Sequence, residues 1–165
     1  MDIIPTLTMY RDTSKEFATK YMWWFFLIQK EPLPEHMIGC DPEFFLDKHF
    51  EMQNGTPGAI TPEAMAEYKR CFCQADAIHA SCEDYRAAAT LISRWTKHDK
   101  AGHKISAPLL ALWGAKEVVG HLWDVLATWR AKATSVSGKA LDCGHLLPEE
   151  QPAEVLAELQ QFFRG

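Results

Sequence analysis

The stretch Ile105 to Gly114, ISAPLLALWG, is a short continuous apolar run closed by glycine, the pattern of a strand buried on both faces. A helical pattern follows from about Val119 to Lys132, a second strand-like run spans Ser135 to Asp142, and a final helix is expected from about Glu149 to Phe163. Strand, helix, strand in that order predicts a parallel pair joined by a right-handed crossover. Two strands alone make no stable parallel sheet when both faces must be covered. More of the sheet is therefore required, and Asp2 to Pro5 (DIIP) reads as the tail of a further strand ended by Pro5. The fold class this predicts is α/β.

The first two thirds reads as helix. Thr13 and Glu16 have capping-box spacing ahead of an aromatic-rich helix, Glu16 to Gln29, that runs out at KEPLPE. Asp41-Pro42-Glu43 and Thr61-Pro62-Glu63 each set a capping side chain before proline at the first helical position and an acid at the second. They predict helices over about Pro42 to Met52 and Pro62 to Cys73. Asp76 to Ser93 contains no glycine or proline and predicts one helix or a broken pair. The basic run KHDKAGHK, Lys97 to Lys104, is interrupted by Asp99 and Gly102 and reads as a solvated loop containing His98 and His103. His79, four residues before Glu83, fits a surface helix pair.

Composition excludes several classes of function. Six tryptophans and nine phenylalanines in 165 residues are far too many for a disordered chain and suit about one domain. A net charge of −5 supplies no phosphate-attracting field, so nucleic acid is not an expected partner. The longest apolar run, Tyr21 to Ile28, falls far short of the roughly twenty residues that cross a bilayer. MDIIPTLT has no basic n-region or cleavage-like site, so a cytoplasmic protein with no membrane partner is expected. The five cysteines are odd in number and form no CxxC pair, which favours reduced, buried thiols and no metal site.

In parallel α/β folds, sites lie beyond the carboxyl ends of the strands. Asp2 and the loop Cys143 to Leu147 both fall at such ends, so Asp2 and His145 could face each other as the acid and base of a hydrolase triad. His145, in CGHLLPEE, is held between rigid elements as general bases often are, although on position alone a polar turn residue is the commoner reading.

YMWWFFLIQKEPLPE, GCDPEFFLD, CEDYRAAAT, PLLALWG and CGHLLPEE, in this order and at these intervals, resemble the C-terminal half of haloacetate (fluoroacetate) dehalogenases of the α/β-hydrolase superfamily. The resemblance runs over essentially the whole chain. It implies the C-terminal portion of an α/β-hydrolase fold with a helical cap, the N-terminal sheet strands and nucleophile elbow being missing. Residues 1–6 would end a core strand carrying the triad acid, 7–104 would form the cap region, and 105–165 the last strands and helices of the core. Asp2 then matches the acid that orients the histidine, and His145 the histidine that activates water. Trp24 and Tyr85 match halide-pocket members whose indole N–H and phenol O–H donate to the departing halide. A further halide contact, commonly histidine in the family, falls at Trp23, where this sequence departs by carrying a larger ring that can only donate.

The implied reaction is hydrolytic removal of halide from a short 2-haloacid through an aspartyl ester and a histidine-activated water. No cofactor or metal is implied, the partner is the small haloacid, and a homodimer stays open for the full-length enzyme. No stretch reads G-x-D-x-G or G-x-S-x-G, so the chain is expected to be an incomplete fragment that lacks the nucleophile and is inactive alone. Two alternatives stand beside this. One is an epoxide hydrolase-like enzyme using two cap tyrosines, with Tyr10, Tyr21 or Tyr68 as the partner of Tyr85. The other is a non-catalytic remnant, or a half that requires a partner polypeptide.

Overall fold

The computed structural model describes residues 2–164. In chain order these form α1 (Thr6–Arg11), α2 (Lys15–Lys20), α3 (Trp23–Phe26), α4 (Leu33–Cys40), α5 (Pro42–Gln53), α6 (Pro62–Phe72), α7 (Ala75–Thr90), α8 (Ile92–Lys100), β1 (Leu109–Gly114), α9 (Val118–Leu122), α10 (Val125–Arg130), β2 (Val136–Leu141), α11 (Leu147–Glu150) and α12 (Pro152–Arg164). They divide into two compact units. The first comprises Met1–Asp12, Gln53–Ala59 and Thr96–Gly165; the second comprises Thr13–Met52 and Ile60–Trp95. None of the described helices is long and apolar enough to cross a membrane.

In the first unit β1 and β2 pair in parallel, from Leu109 opposite Val136 to Gly114 opposite Leu141, and an isolated bridge joins Ile105 to Ala133. The expected strands are thus present but shorter than the apolar runs, and β1 starts directly after Pro108, which has no N–H for a ladder. Leu112, Leu141, Cys143 and Leu147 form a buried cluster, with Leu110 and Val155 packed against it. Asp2 to Pro5, expected as a strand, lies outside any strand, and Pro5 caps α1. Its backbone is committed elsewhere: the Ile3 carbonyl accepts the Trp129 indole N–H at 2.9 Å, and Pro5 has no N–H to give.

The second unit is helical. Its well-marked starts form as their side chains require: Thr61 Oγ1 accepts the Ala64 N–H, and Asp41 Oδ1 accepts the Phe44 N–H. The expected helix from Glu16 to Gln29 is instead split into α2 and α3, and the cap is Ser14, whose Oγ accepts the Phe17 N–H, rather than Thr13. A continuous helix would fan Tyr21, Trp23 and Trp24 around its axis at 100° per residue. The break at Tyr21 and Met22 instead leaves all three rings buried. α4 forms within a stretch expected to be irregular, with Pro34 in its first turn, where a missing N–H costs nothing.

Other boundaries moved for local reasons. Lys97 to Lys100, expected in a loop, continue α8, which stops before Gly102 at φ +69°. The helix expected over Val119 to Lys132 is interrupted where Trp123 turns extended and Asp124 caps α10 through the Ala127 N–H. Pro152 divides the final helix into α11 and α12. The cysteines are not uniformly buried: Cys82 and Cys143 are, whereas Cys40 and Cys71 are exposed.

Candidate active site

Asp2 and His145 meet in the first unit. Asp2 Oδ2 lies 2.9 Å from His145 Nδ1, and Asp2 Oδ1 accepts the N–H of Gly114, the last residue of β1, at 3.3 Å. The Asp2 side chain is 0% exposed and that of His145 27%. A carboxylate accepts only, so the neutral imidazole places its proton on Nδ1 and its lone pair on Nε2. The dyad can therefore act as an oriented base.

A second carboxylate, which sequence reasoning saw only as an acid opening a helix, fixes the histidine loop. Glu150, buried in α11, accepts the N–H of Gly144 at 2.7 Å and of Gly55 at 3.0 Å through Oε2, and that of Leu146 at 3.0 Å through Oε1. The His145 N–H donates to the Gln53 carbonyl at 2.9 Å. The segments approach so closely that a Cβ on Gly144 would lie 2.3 Å from the Gly55 nitrogen and 2.5 Å from the Gln53 oxygen. The glycine of CGH is thus a steric requirement. Beside it, burial first, then the Glu150 and Asp2 carboxylates, push the Cys143 thiol up to about 11. It stays a neutral thiol at pH 7 and makes a poor nucleophile.

His145 and Asp2 line an apolar cleft of about 490 Å³ together with Leu112, Leu147, Val155 and Leu159. Asp2 and His145 are its ionisable lining side chains.

The other expected site residues lie in the second unit. Trp24 packs edge-on against Tyr85, with centroids 6.0 Å apart, and against Phe17 at 5.9 Å. Trp23, equally buried, packs against Tyr21 at 4.9 Å and His49 at 4.5 Å. His49 is a residue that sequence reasoning missed: nothing in DPEFFLDKHF marks it apart from helical position. His79 faces Glu35 at 3.4 Å rather than pairing with Glu83, and Arg86 binds both acids. Its guanidinium grips Glu35 through two hydrogen bonds, at 2.6 and 3.0 Å, and Glu83 through one at 2.6 Å. This network, Arg86 foremost, holds the Glu35 carboxyl down at about 2. Glu35, His79 and Glu83 bring ligand atoms within 4.8 Å of one another, but Arg86 already answers the charge.

Fold and relatives together place the chain in the α/β-hydrolase superfamily. It is 31% identical over 164 residues to a fluoroacetate dehalogenase of Burkholderia sp, covering 98% of this chain and 53% of that protein. It is 33% identical over 112 residues to a soluble epoxide hydrolase of Corynebacterium sp., covering 67% of this chain and 37% of that one. Two solved structures superpose closely: a provisionally assigned acyltransferase of Salmonella enterica, with TM-score 0.94, 50% identity and coverage of 99% and 54%, and a provisionally assigned α/β hydrolase of a Nostoc species, with TM-score 0.93, 51% identity and coverage of 98% and 55%. No family model matches. The chain spans about half the length of the dehalogenase and of both solved structures, and less of the epoxide hydrolase.

Proposed function

We propose that the chain supplies the acid, the base and the halide-binding residues of a hydrolase that removes halide from a short 2-haloacid. The observation that carries this reading is the Asp2–His145 hydrogen bond, with its buried carboxylate and partly open imidazole. The second unit is read as the cap. An aspartate nucleophile comes from polypeptide outside these 165 residues, since they contain no elbow motif. Its carboxylate displaces halide from the carbon next to the substrate carboxylate, forming an ester, and the halide leaves with the bonding pair. His145 Nε2 then takes a proton from water, whose oxygen adds to the ester carbonyl and releases the 2-hydroxy acid and the aspartate. Asp2 stabilises the imidazolium formed in that step. Trp24 and Tyr85 are assigned as the donors to the departing halide, where negative charge develops. Epoxide opening would call for a second tyrosine beside Tyr85. The Trp24 indole packs edge-on against Tyr85, which supports the halide reading.

The test measures halide release from fluoro-, chloro- and bromoacetate by the 165-residue chain alone, and by the chain co-expressed with the complementary N-terminal half of a close relative. Release only in the complemented sample, with an aspartyl ester trapped on the nucleophile when His145→Gln is used, is the expected result. Release by the isolated chain at an ordinary enzyme rate would show that the nucleophile is not missing. A complemented sample that hydrolyses epoxides and leaves haloacids untouched would overturn the substrate assignment.

A further inference from the structure

We propose that Glu150 is a positioning residue for His145, a buried carboxylate that clamps the histidine loop and thereby fixes the imidazole on Asp2. This rests on the reading of His145 as the base and deepens it. Three N–H donors from two separated segments, Gly55 on one side and Gly144 and Leu146 on the other, converge on its two oxygens at 2.7–3.0 Å. The donors from the histidine loop flank His145 directly, one on the residue before it and one on the residue after. With the His145 N–H also held by the Gln53 carbonyl, three consecutive amides, 144 to 146, are hydrogen-bonded. The peptide unit that carries the imidazole is thus pinned on both sides, and the side chain is left little latitude except through its own torsions.

The chemistry of the three contacts asks for a carboxylate. Glu150 is 7% exposed, and each oxygen faces donors only, so an ionised acceptor satisfies all three amides at once. Glutamine at this position has nearly the same shape but would turn an NH2 toward N–H groups on one side. Hydrogen bonds to a charged partner are stronger than those between neutral groups, and a buried donor left unpaired is destabilising. Glu150→Gln should therefore loosen the clamp while leaving the hydrophobic cluster of Leu112, Leu141 and Leu147 in place.

The test reads the imidazole itself, by ¹⁵N and ¹H NMR of the full 165-residue chain at neutral pH. In the unmodified protein His145 should show a single Nδ1–H tautomer with a downfield, slowly exchanging ring proton, and the Gly55, Gly144 and Leu146 amides should be protected. In Glu150→Gln the ring proton should be lost to exchange and the three amides should exchange at least about tenfold faster, with the circular dichroism of the fold retained. The same ring-proton signal in Glu150→Gln as in the unmodified chain overturns the proposal. Should the variant fail to fold, exchange on the unmodified chain decides: rapid exchange at Gly55 and Gly144 overturns the proposal, and protection of all three amides upholds it. Halide release does not enter this readout, so a failure of the dehalogenase reading and a failure of the clamp are seen separately.

Discussion

Asp2 and His145 are 143 positions apart in the chain and 2.9 Å apart in space. The two Asp2 oxygens divide their work: Oδ2 meets the imidazole, and Oδ1 accepts the Gly114 N–H at the end of β1. Anchoring one oxygen to the strand holds the other in line with Nδ1.

That division makes Asp2→Asn an informative variant. Asparagine can keep Oδ1 on Gly114 but presents an NH2 to Nδ1, so the imidazole is driven to the wrong tautomer. In the complemented enzyme, ester hydrolysis should fall by a factor on the order of 10⁴. The melting temperature should move by only a few degrees, and single-turnover kinetics would locate the loss in the second step.

Gly144→Ala should be destabilising by about 1–3 kcal/mol or more, since the new methyl group would sit 2.3 Å from the Gly55 nitrogen and 2.5 Å from the Gln53 oxygen. Gly39→Ala, on the exposed end of α4 with nothing within 4 Å, is the contrasting control. There the lost backbone freedom of glycine should raise stability by about 0.5–1 kcal/mol. Urea denaturation of the two variants measures both signs.

The Arg86–Glu35 pair makes a prediction about acid. Glu35 falls from an ordinary 4.5 to about 2 in the folded protein, mainly through its hydrogen bonds with Arg86. Its contribution is therefore full above about pH 4.5 and fades as pH drops from there through about 2. Glu35→Gln should cost about 1.5–3 kcal/mol at pH 7 and should flatten the stability profile in that window. An unchanged acid limb in the variant would remove Glu35 as its source.

Thiol accessibility should follow burial. Cys40 and Cys71, both exposed, should react first with an aromatic disulfide reagent at pH 8. Cys82 and Cys143, buried and with thiols pushed up to about 11, should react only after denaturation. Mass mapping of the labelled peptides gives the order directly.

Trp24→Phe would keep an aromatic ring against Phe17 and Tyr85 while removing the indole N–H. Under the proposed reaction, turnover of fluoroacetate should drop by about 10²–10³, the usual effect of losing one donor at a developing anion. Bromoacetate, with its better leaving group, should be affected less. Equal losses on both substrates would argue against Trp24 as a halide donor.

Features encoded locally were legible in the sequence. Thr61 and Asp41 cap the helices they announce because the capping oxygen and the N–H it accepts are three residues apart. The parallel pair could be read from two apolar runs around a helix, whereas the proximity of Asp2 to His145 was reached through a strand ending at Pro5 that the structure does not form. The reading failed where tertiary packing decided: the aromatic run breaks at Tyr21 so that Trp23 and Trp24 are both buried, and Trp123 interrupts a helix whose pattern looked continuous. Glu150 was visible only as a first-turn acid, since its contact with Gly55 spans 95 positions and no local pattern records such a partner.

The first unit is stitched from three stretches that lie far apart in the chain. During synthesis at roughly 5–20 residues per second, Asp2 waits about 7–30 s for the ribosome to reach its imidazole partner. The second unit needs nothing beyond Trp95, so it can be complete while the dyad does not yet exist. A nascent chain stalled or clipped before Cys143 would carry a finished second unit and an acid with no base to meet.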